Sequence, residues 1–569
     1  MMMKKAPVFT LLLLFLFSTQ AKAQEYYSVP LDHAAYDLIE LGIMRGLILQ
    51  LPSAKPLPLH TVKAKLSEML ANGTGILSQK EYDIIVSILN SFERKDGWDS
   101  MSGRHHTDFS SGSIETGFNL TSNLSADLTG INFSSIDIVK WYLGGDIADN
   151  YSWNLAASAG LFYIERNKNG DVNDPQIQTV ETIPAAFPYT ASKSWDGGLA
   201  SYVDPNSYSP WPQYPSLGYA LEGEVYGVFF DGLLQLRLGR MRREWGPEAN
   251  RNSLFLNSGA RPFLALEGIV SPLYWINISF LNGALEYYRE EYNWPAGNVF
   301  TNMLSAILFE FDPVNFLHLE LGSSAVWFHQ INWALFANAE LRLPANLKLW
   351  GSFYIDNLNS DPADFILVAG NSFAYQAGIK AAIRWLPFAS FSLRYTKIEP
   401  YCYTDSYDRF SGKWIPSPGA FISGGESLGY YLPPNSDEFL IGLDSILSQS
   451  VRINFQFQMI RHGADFGYGA VSGSSLRDKL ENSYAVKHFL MDGVYQWENI
   501  IRLRCVWNLE AKSLPAAFFA EAGLVSTRYT VNGTVDVGKE AEYESLSDAE
   551  YRAGSRFILS IGFKIFPGS

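Results

Sequence analysis

From about residue 112 to the C-terminus, apolar and polar residues alternate with a period of two, and this alternation most constrains what the chain can fold into. In the last segment Phe557, Leu559, Ile561, Phe563 and Ile565 alternate with Arg556, Ile558, Ser560, Gly562 and Lys564. Successive side chains of a β-strand point to opposite faces, so such a segment has a greasy side and a more polar side. The split recurs upstream. Val451, Ile453, Phe455, Phe457 and Met459 lie opposite Arg452, Asn454, Gln456 and Gln458, and Leu335, Ala337, Ala339, Leu341 and Leu343 lie opposite Asn338, Glu340 and Arg342. A soluble sandwich and a transmembrane barrel both alternate in this way, so the period alone leaves both open.

The connections discriminate between them. The alternation predicts about eighteen strands, near 112–128, 138–148, 153–164, 217–229, 232–239, 261–270, 274–283, 301–311, 315–327, 333–343, 347–357, 373–385, 389–398, 437–445, 451–461, 494–509, 516–526 and 553–566. Every second connection is short, such as Phe230-Asp231, Asp312-Pro313-Val314 and Pro344-Ala345-Asn346, whereas 165–216, 240–260, 284–300, 358–372, 399–436, 462–493 and 527–552 are long. An even strand number with turns at one end and long loops at the other is the pattern of an outer-membrane barrel. The short turns then face the periplasm and the long loops face outwards.

The N-terminus agrees with export. Lys4 and Lys5 precede the apolar run Leu11 to Phe17 and then Ala21-Lys22-Ala23, which reads as a signal peptide over residues 1–23 with the mature chain starting near Gln24. The run is too short to span a bilayer as a helix. Cys402 and Cys505 are the only cysteines, so no disulfide framework holds this exported chain, and Cys505, on a lipid-facing parity, is expected to be unpaired. The formal charge of −15 argues against a nucleic-acid partner. The aromatic content of 15% suits a chain whose Tyr and Trp side chains sit at a membrane–water interface.

Residues 24–98 differ from the 99–569 barrel region. Asp32 is placed to cap a helix through about Met44, Thr61 to Leu70 forms a second helical pattern, and Ser78-Gln79-Lys80-Glu81 is a capping box ahead of Tyr82, Ile85, Leu89 and Phe92 on one face. This predicts a small helical periplasmic unit that packs on something. His105-His106 reads as a linker, since neighbouring strand residues point opposite ways.

Binding chemistry concentrates in the loops. Arg240, Arg242, Arg243, Arg251 and Arg261 surround Trp245-Gly246-Pro247. Held outwards, the arginines offer planar donor forks to the carboxylates of an acidic polysaccharide, and Trp245 offers a flat face to a sugar ring. In the alternative, they pair with Glu244, Glu248 and other loop acids, and Trp-Gly-Pro is a rigid turn. Trp195, Tyr208 and Trp211 fill one further outer loop, Tyr288 and Trp294 another, and Tyr403 and Trp414 a third, divided between sugar contacts and an outer aromatic girdle. On the lumen parity lie Arg237, His318, Glu320, Glu340, Arg342, Arg394, Arg452, Glu498, Arg502, Arg504 and Glu521, whose mixed signs fit either a porin channel or an interior closed by ion pairs.

The segment "GRMRREWGPEANRNSLFLNSGARPF", Gly239 to Phe263, resembles the corresponding stretch of the Wzi capsule assembly proteins, which runs from a glycine-arginine strand end through Trp-Gly-Pro to a closing arginine-proline. "YIDNL" at Tyr354 to Leu358 and "GGESLGYYLPPNSDEF" at Gly424 to Phe439 are similar to that family too, as is the helical unit ahead of the barrel. The resemblance implies an outer-membrane barrel with a periplasmic helical bundle, a largely occluded lumen and a role in holding capsular polysaccharide. Its expected partners are that polysaccharide, outer-membrane lipid and the barrel-assembly machinery, with no cofactor.

Enzymatic readings find little support, because none of the eight histidines stands in a metal-ligand or Ser/His spacing; a barrel protease or lipase built from loop Asp and His is the enzymatic alternative. Two further functions stay open. One is a diffusion porin. The other is an anchor to the cell wall, because "HAAYDLIELGIMRGLI" and "PLHTVKAKLSEML" resemble an S-layer homology unit, although Thr61 is followed by Val62-Lys63-Ala64 in place of Arg-Ala-Glu.

Overall fold

The computed structural model describes residues 27–93, 97–99, 104–109, 112–128, 132–147, 151–164, 216–246, 253–260, 262–285, 302–327, 331–356, 371–404, 420–423, 426–463, 487, 489–490, 494–509, 515–531 and 554–565. The predicted signal peptide lies outside them. The chain opens with α1 (Ala35–Met44), β1 (Ala54–Lys55), α2 (Leu59–Asn72) and α3 (Gln79–Ser91), followed by the short strands β2 (Gly97–Asp99) and β3 (Arg104–Phe109). The wall begins with β4 (Gly112–Asp127), β5 (Asn132–Ile147), β6 (Tyr151–Ile164), β7 (Ser216–Phe229) and β8 (Leu234–Met241). After the two-residue β9 (Glu244–Trp245) come β10 (Phe263–Leu273), β11 (Ile276–Ala284), β12 (Met303–Val314), β13 (Leu317–Trp327), β14 (Ile331–Leu343), β15 (Leu347–Asp356), β16 (Ser372–Ile383) and β17 (Ala389–Ile398). Beyond the small hairpin β18 (Ile422–Ser423) and β19 (Glu426–Ser427), the wall ends with β20 (Ser436–Ser448), β21 (Val451–Gly463), β22 (Val494–Asn508), β23 (Ala516–Val531) and β24 (Gly554–Ile565).

Eighteen of these strands form a closed antiparallel barrel, each predicted strand having its counterpart. β5 starts at Asn132 and β23 runs on to Val531, several residues beyond the predicted bounds. Closure joins β24 to β4, with Ile565 opposite Leu120. The lower part of β4 then pairs with β3, Arg104 lying opposite Gly117. The His105-His106 stretch is therefore part of a hairpin that completes the seam and is not a linker. His105 is exposed and His106 buried, as the strand pleat requires.

The alternation sorts the wall. Outward-facing residues such as Leu321, Ile331, Trp333 (63% exposed) and Ile561 present an apolar exterior, while His318, Glu320, Glu340 and Arg394 point inwards and are buried. Phe230, Tyr274, Phe316 and Trp385 stand exposed at the short-turn rim, where amphipathic or apolar rings mark an interface. At the turn after β14, Ala345 and Asn346 both take positive φ (70° and 62°), the backbone twist that suits a tight hairpin.

The three helices sit at the short-turn end and enter the barrel mouth. Leu38, Ile39, Leu59, Val62, Leu66, Met69 and Ile84 make one buried cluster with Phe388 and Ile446 of the barrel. The predicted capping box is present at Ser78–Glu81. Two local expectations are corrected. Asp32 does not cap α1; the Ala35 N–H donates instead to His33 Nδ1 at 3.1 Å. Tyr82 points outwards, and Glu81, Ile84 and Ile85 are the buried side of α3, because Glu81 forms an ion pair with Arg45 at 2.7 Å beneath the Phe388 turn.

Candidate functional site

Arg243 and Trp245 of the arginine-and-tryptophan corner fold into the barrel rather than away from it. Arg243 (1% exposed) turns back over the end of the wall, donating to the carbonyls of Phe263 and Gly239, each at 2.9 Å, and to Glu267 Oε2 at 3.2 Å. Trp245 (0% exposed) donates Nε1–H to Glu267 Oε1 at 3.1 Å, and its backbone pairs with Ala54 of β1. Arg237 completes this hub, reaching Glu267 and Glu224 at 3.3 Å each and donating to the Pro56 carbonyl at 2.8 Å. Burial lowers the proton affinity of the Arg243 guanidinium, and Glu267 opposes that shift. The side chain of Ser253 packs where a Cβ on Gly246 would stand, so the glycine of Trp-Gly-Pro lets the loop close on itself.

An outward display of Arg243 and Trp245 is thereby corrected. Both are enclosed because Glu267 and the climbing segment 53–56 supply partners inside the barrel that solvent would otherwise supply. Tyr403 is enclosed too, donating to the Leu254 carbonyl at 2.9 Å and packing on Tyr354. Among the described residues Arg243 pairs with Glu267 and not with Glu244, which accepts from Ser258 Oγ at 2.7 Å; Glu248 lies outside the described residues. Arg240 occupies the exterior parity and donates to the Leu221 carbonyl, apart from the hub. Arg242, half-buried, donates to the Ser258 carbonyl at 3.1 Å. Arg251, Arg261, Trp195, Tyr208, Trp211, Tyr288, Trp294 and Trp414 lie outside the described residues.

The lumen-parity residues meet the helical unit from many strands. Arg342 donates to Gln50 at 2.6 Å and to Glu340 at 3.2 Å, Lys348 and Lys380 hold Glu40 between them, and Arg452 pairs with Asp37. The two lysines hold the Glu40 carboxyl well below its usual range although burial acts the other way. Elsewhere the interior pairs with itself: Arg394 with Glu438 at 2.9 Å and with Tyr430, Glu498 with Thr527 at 3.2 Å, and Arg502 with Gln456 and Glu521.

A cavity of about 480 Å³ remains beside these insertions, bordered by Arg452, Arg502, Arg504, Lys140, Trp153 and, towards the long-loop end, Arg242. Guanidinium forks beside aromatic faces suit an anionic or hydroxyl-rich guest.

One cluster was not recognised in the sequence. Glu310 of β12 lies opposite Glu320 of β13, and His318 shares the face of Glu320; all three are buried, with ligand-type atoms within 4.8 Å of one another. The available signal was His-x-Glu on a strand with a carboxylate across the hairpin, a pattern that depends on register.

No protein-family model and no curated protein matches the chain. Among solved structures it is similar to Wzi of Escherichia coli, described as an outer membrane protein involved in group 1 capsule assembly and a carbohydrate-binding β-barrel, with a TM-score of 0.51 and 12% identity over 96% of this chain and 99% of that one. The likeness is one of fold. OprD of Pseudomonas aeruginosa aligns with a TM-score of 0.41 and 11% identity over 83% of this chain and 98% of its own, and OccAB2 of Acinetobacter baumannii with 0.44 and 8% over 80% and 97%. The architecture is that of outer-membrane β-barrels.

Proposed function

We propose that the protein is an outer-membrane barrel that binds extracellular or capsular polysaccharide through its long-loop face and so aids capsule assembly, holding the polymer without turnover. One observation supports this over free diffusion. The helical unit enters from the short-turn end, the stretches 242–246 and 253–260 fold in from the other, and they pair at Ala54–Lys55 with Glu244–Trp245 inside the barrel. A lumen occupied from both ends suits a surface tether. In this reading residues 1–23 are removed on export, residues 24–98 form a periplasmic unit, the exterior meets membrane lipid after insertion by the barrel-assembly machinery, and the loop aromatics Trp195, Trp211, Trp294 and Trp414 carry the sugar contacts. Weak contacts suffice when many repeats of one polymer engage many barrels. Pull-down of the host's surface polysaccharide by the purified barrel tests it, together with variants of those tryptophans; unchanged retention in all four single alanine variants and in their combination overturns the loop assignment.

The cavity beside the insertions favours a second reading, a porin passing small anionic solutes along Arg452, Arg502 and Arg504. Single-channel conductance in planar bilayers separates the two, since a tether of this construction conducts little.

A further inference from the structure

We propose that Glu310, His318 and Glu320 form a binding site for a first-row divalent cation of the zinc or manganese class, and that the ion clips the N-terminal segment to the barrel wall at Ser53. The geometry has the parts of such a site. His318 Nδ1 lies 3.1 Å from Asp312 Oδ1, the arrangement in which an outer carboxylate orients an imidazole and leaves the other ring nitrogen for a metal. That nitrogen, Nε2, is 3.0 Å from Glu320 Oε1, a separation typical of neighbouring donors around one ion with bonds of about 2.0–2.2 Å. Glu310 stands directly across the hairpin from Glu320, and the second carboxylate oxygen of each is buried without a hydrogen-bond partner. Two like charges facing each other across a strand pair are destabilising, and two orphaned oxygens are more so.

The charge around the cluster points the same way. Arg342, Lys348 and Lys380 face Asp312, Glu340 and Glu40 through ion pairs, and Glu310 and Glu320 add two further carboxylates. Among the described residues neither Glu310 nor Glu320 has a lysine or arginine partner, so His318 alone faces their charge, and a divalent ion seated in place of an imidazole proton would supply the missing positive charge. One imidazole with two carboxylates suits zinc or manganese better than calcium or magnesium, which favour oxygen-only shells. Ser53 closes the remaining side, its N–H donating to Glu310 Oε1 at 2.5 Å and its hydroxyl lying over Glu320 and 3.5 Å from His318 Nε2. An ion there joins β12, β13 and the inserted segment in one contact.

The test uses the full mature barrel in detergent, stripped with EDTA, reloaded with zinc chloride or manganese chloride and desalted, with metal counted by plasma mass spectrometry. The expected result is one tightly held ion per chain, absent from the Glu310→Gln/Glu320→Gln variant and retained by His105→Gln, with folding checked by heat-modifiable gel mobility. Zinc X-ray absorption on the unaltered protein should show one imidazole among oxygen donors, a readout that stands even if the double variant fails to fold. Loading should also slow elastase cleavage after Ala54 by about tenfold or more. No retained ion in the unaltered protein, equal retention in a folded double variant, or a shell lacking imidazole overturns the site; retention with unchanged cleavage overturns the clip.

Discussion

Replacing Glu267 by Gln tests whether the inward-folded loop is held by the buried hub. The carboxylate receives Arg243 at 3.2 Å, Arg237 at 3.3 Å and the Trp245 indole at 3.1 Å, all in a region closed to solvent. Gln keeps the shape and an acceptor for the indole but removes the charge. Arg237 retains Glu224, whereas Arg243 is left with backbone carbonyls only. Removing one partner of a buried ion pair costs about 3–5 kcal/mol, because the remaining charge stays desolvated. At about 1.4 kcal/mol per tenfold, the ratio of docked to undocked loop falls by roughly two to three and a half orders of magnitude. Limited trypsin digestion of the folded barrel should then cut after Arg243 at a much higher rate than in the unaltered protein, and planar-bilayer recordings should show larger and more frequent openings. A Glu267→Gln barrel as resistant at Arg243 as the original would refute the hub.

Three further outcomes are expected. Glu40, held between Lys348 and Lys380, has its carboxyl shifted down in the docked state, so its contribution to docking is complete above the ordinary glutamate value of about 4.3 and is lost as pH falls below it. Hydrogen exchange in α1, corrected for the intrinsic rate, should therefore accelerate below that pH, and less so in Glu40→Gln; identical acid sensitivity in both would contradict the assignment. Trp245→Ala empties a fully buried site at a cost of about 3–5 kcal/mol in loop docking, whereas Trp245→Phe keeps most of the packing and should keep polysaccharide retention in a pull-down. Loss of retention in Trp245→Phe with the loop still protease-resistant would put the indole on the sugar after all. Cys402 and Cys505 are both free thiols, Cys402 buried with its pKa raised by desolvation, so Cys402 should resist maleimide until the barrel unfolds and reducing agent should leave gel mobility unchanged.

The wall was legible because a strand's inside and outside are written locally, in the parity of neighbouring residues. Leu335 and Glu340 declare their faces without knowledge of any distant partner, and the sorting of short and long connections fixes which strand ends lie together. The capping box at Ser78 is equally local. Asp32 and Tyr82 were misread because a helix N-terminus has several possible donors' partners and because the helix face that is buried depends on what it docks against, here Phe388 and Ile446. The cluster of Glu310, His318 and Glu320 needed the register of β12 against β13, which no spacing within either strand supplies.

By itself the sequence determined a closed antiparallel barrel with an apolar outside, a charged inside and a helical unit ahead of it, since period, turn chemistry and loop length act over a few residues. Only the tertiary structure decided that Arg243 and Trp245 face Glu267 instead of the surroundings, and that residues 53–56 climb the lumen to meet them. Both environments accept a guanidinium and an indole, one through water and the other through a buried carboxylate, so the choice rests on partners far away in the chain that composition does not reveal.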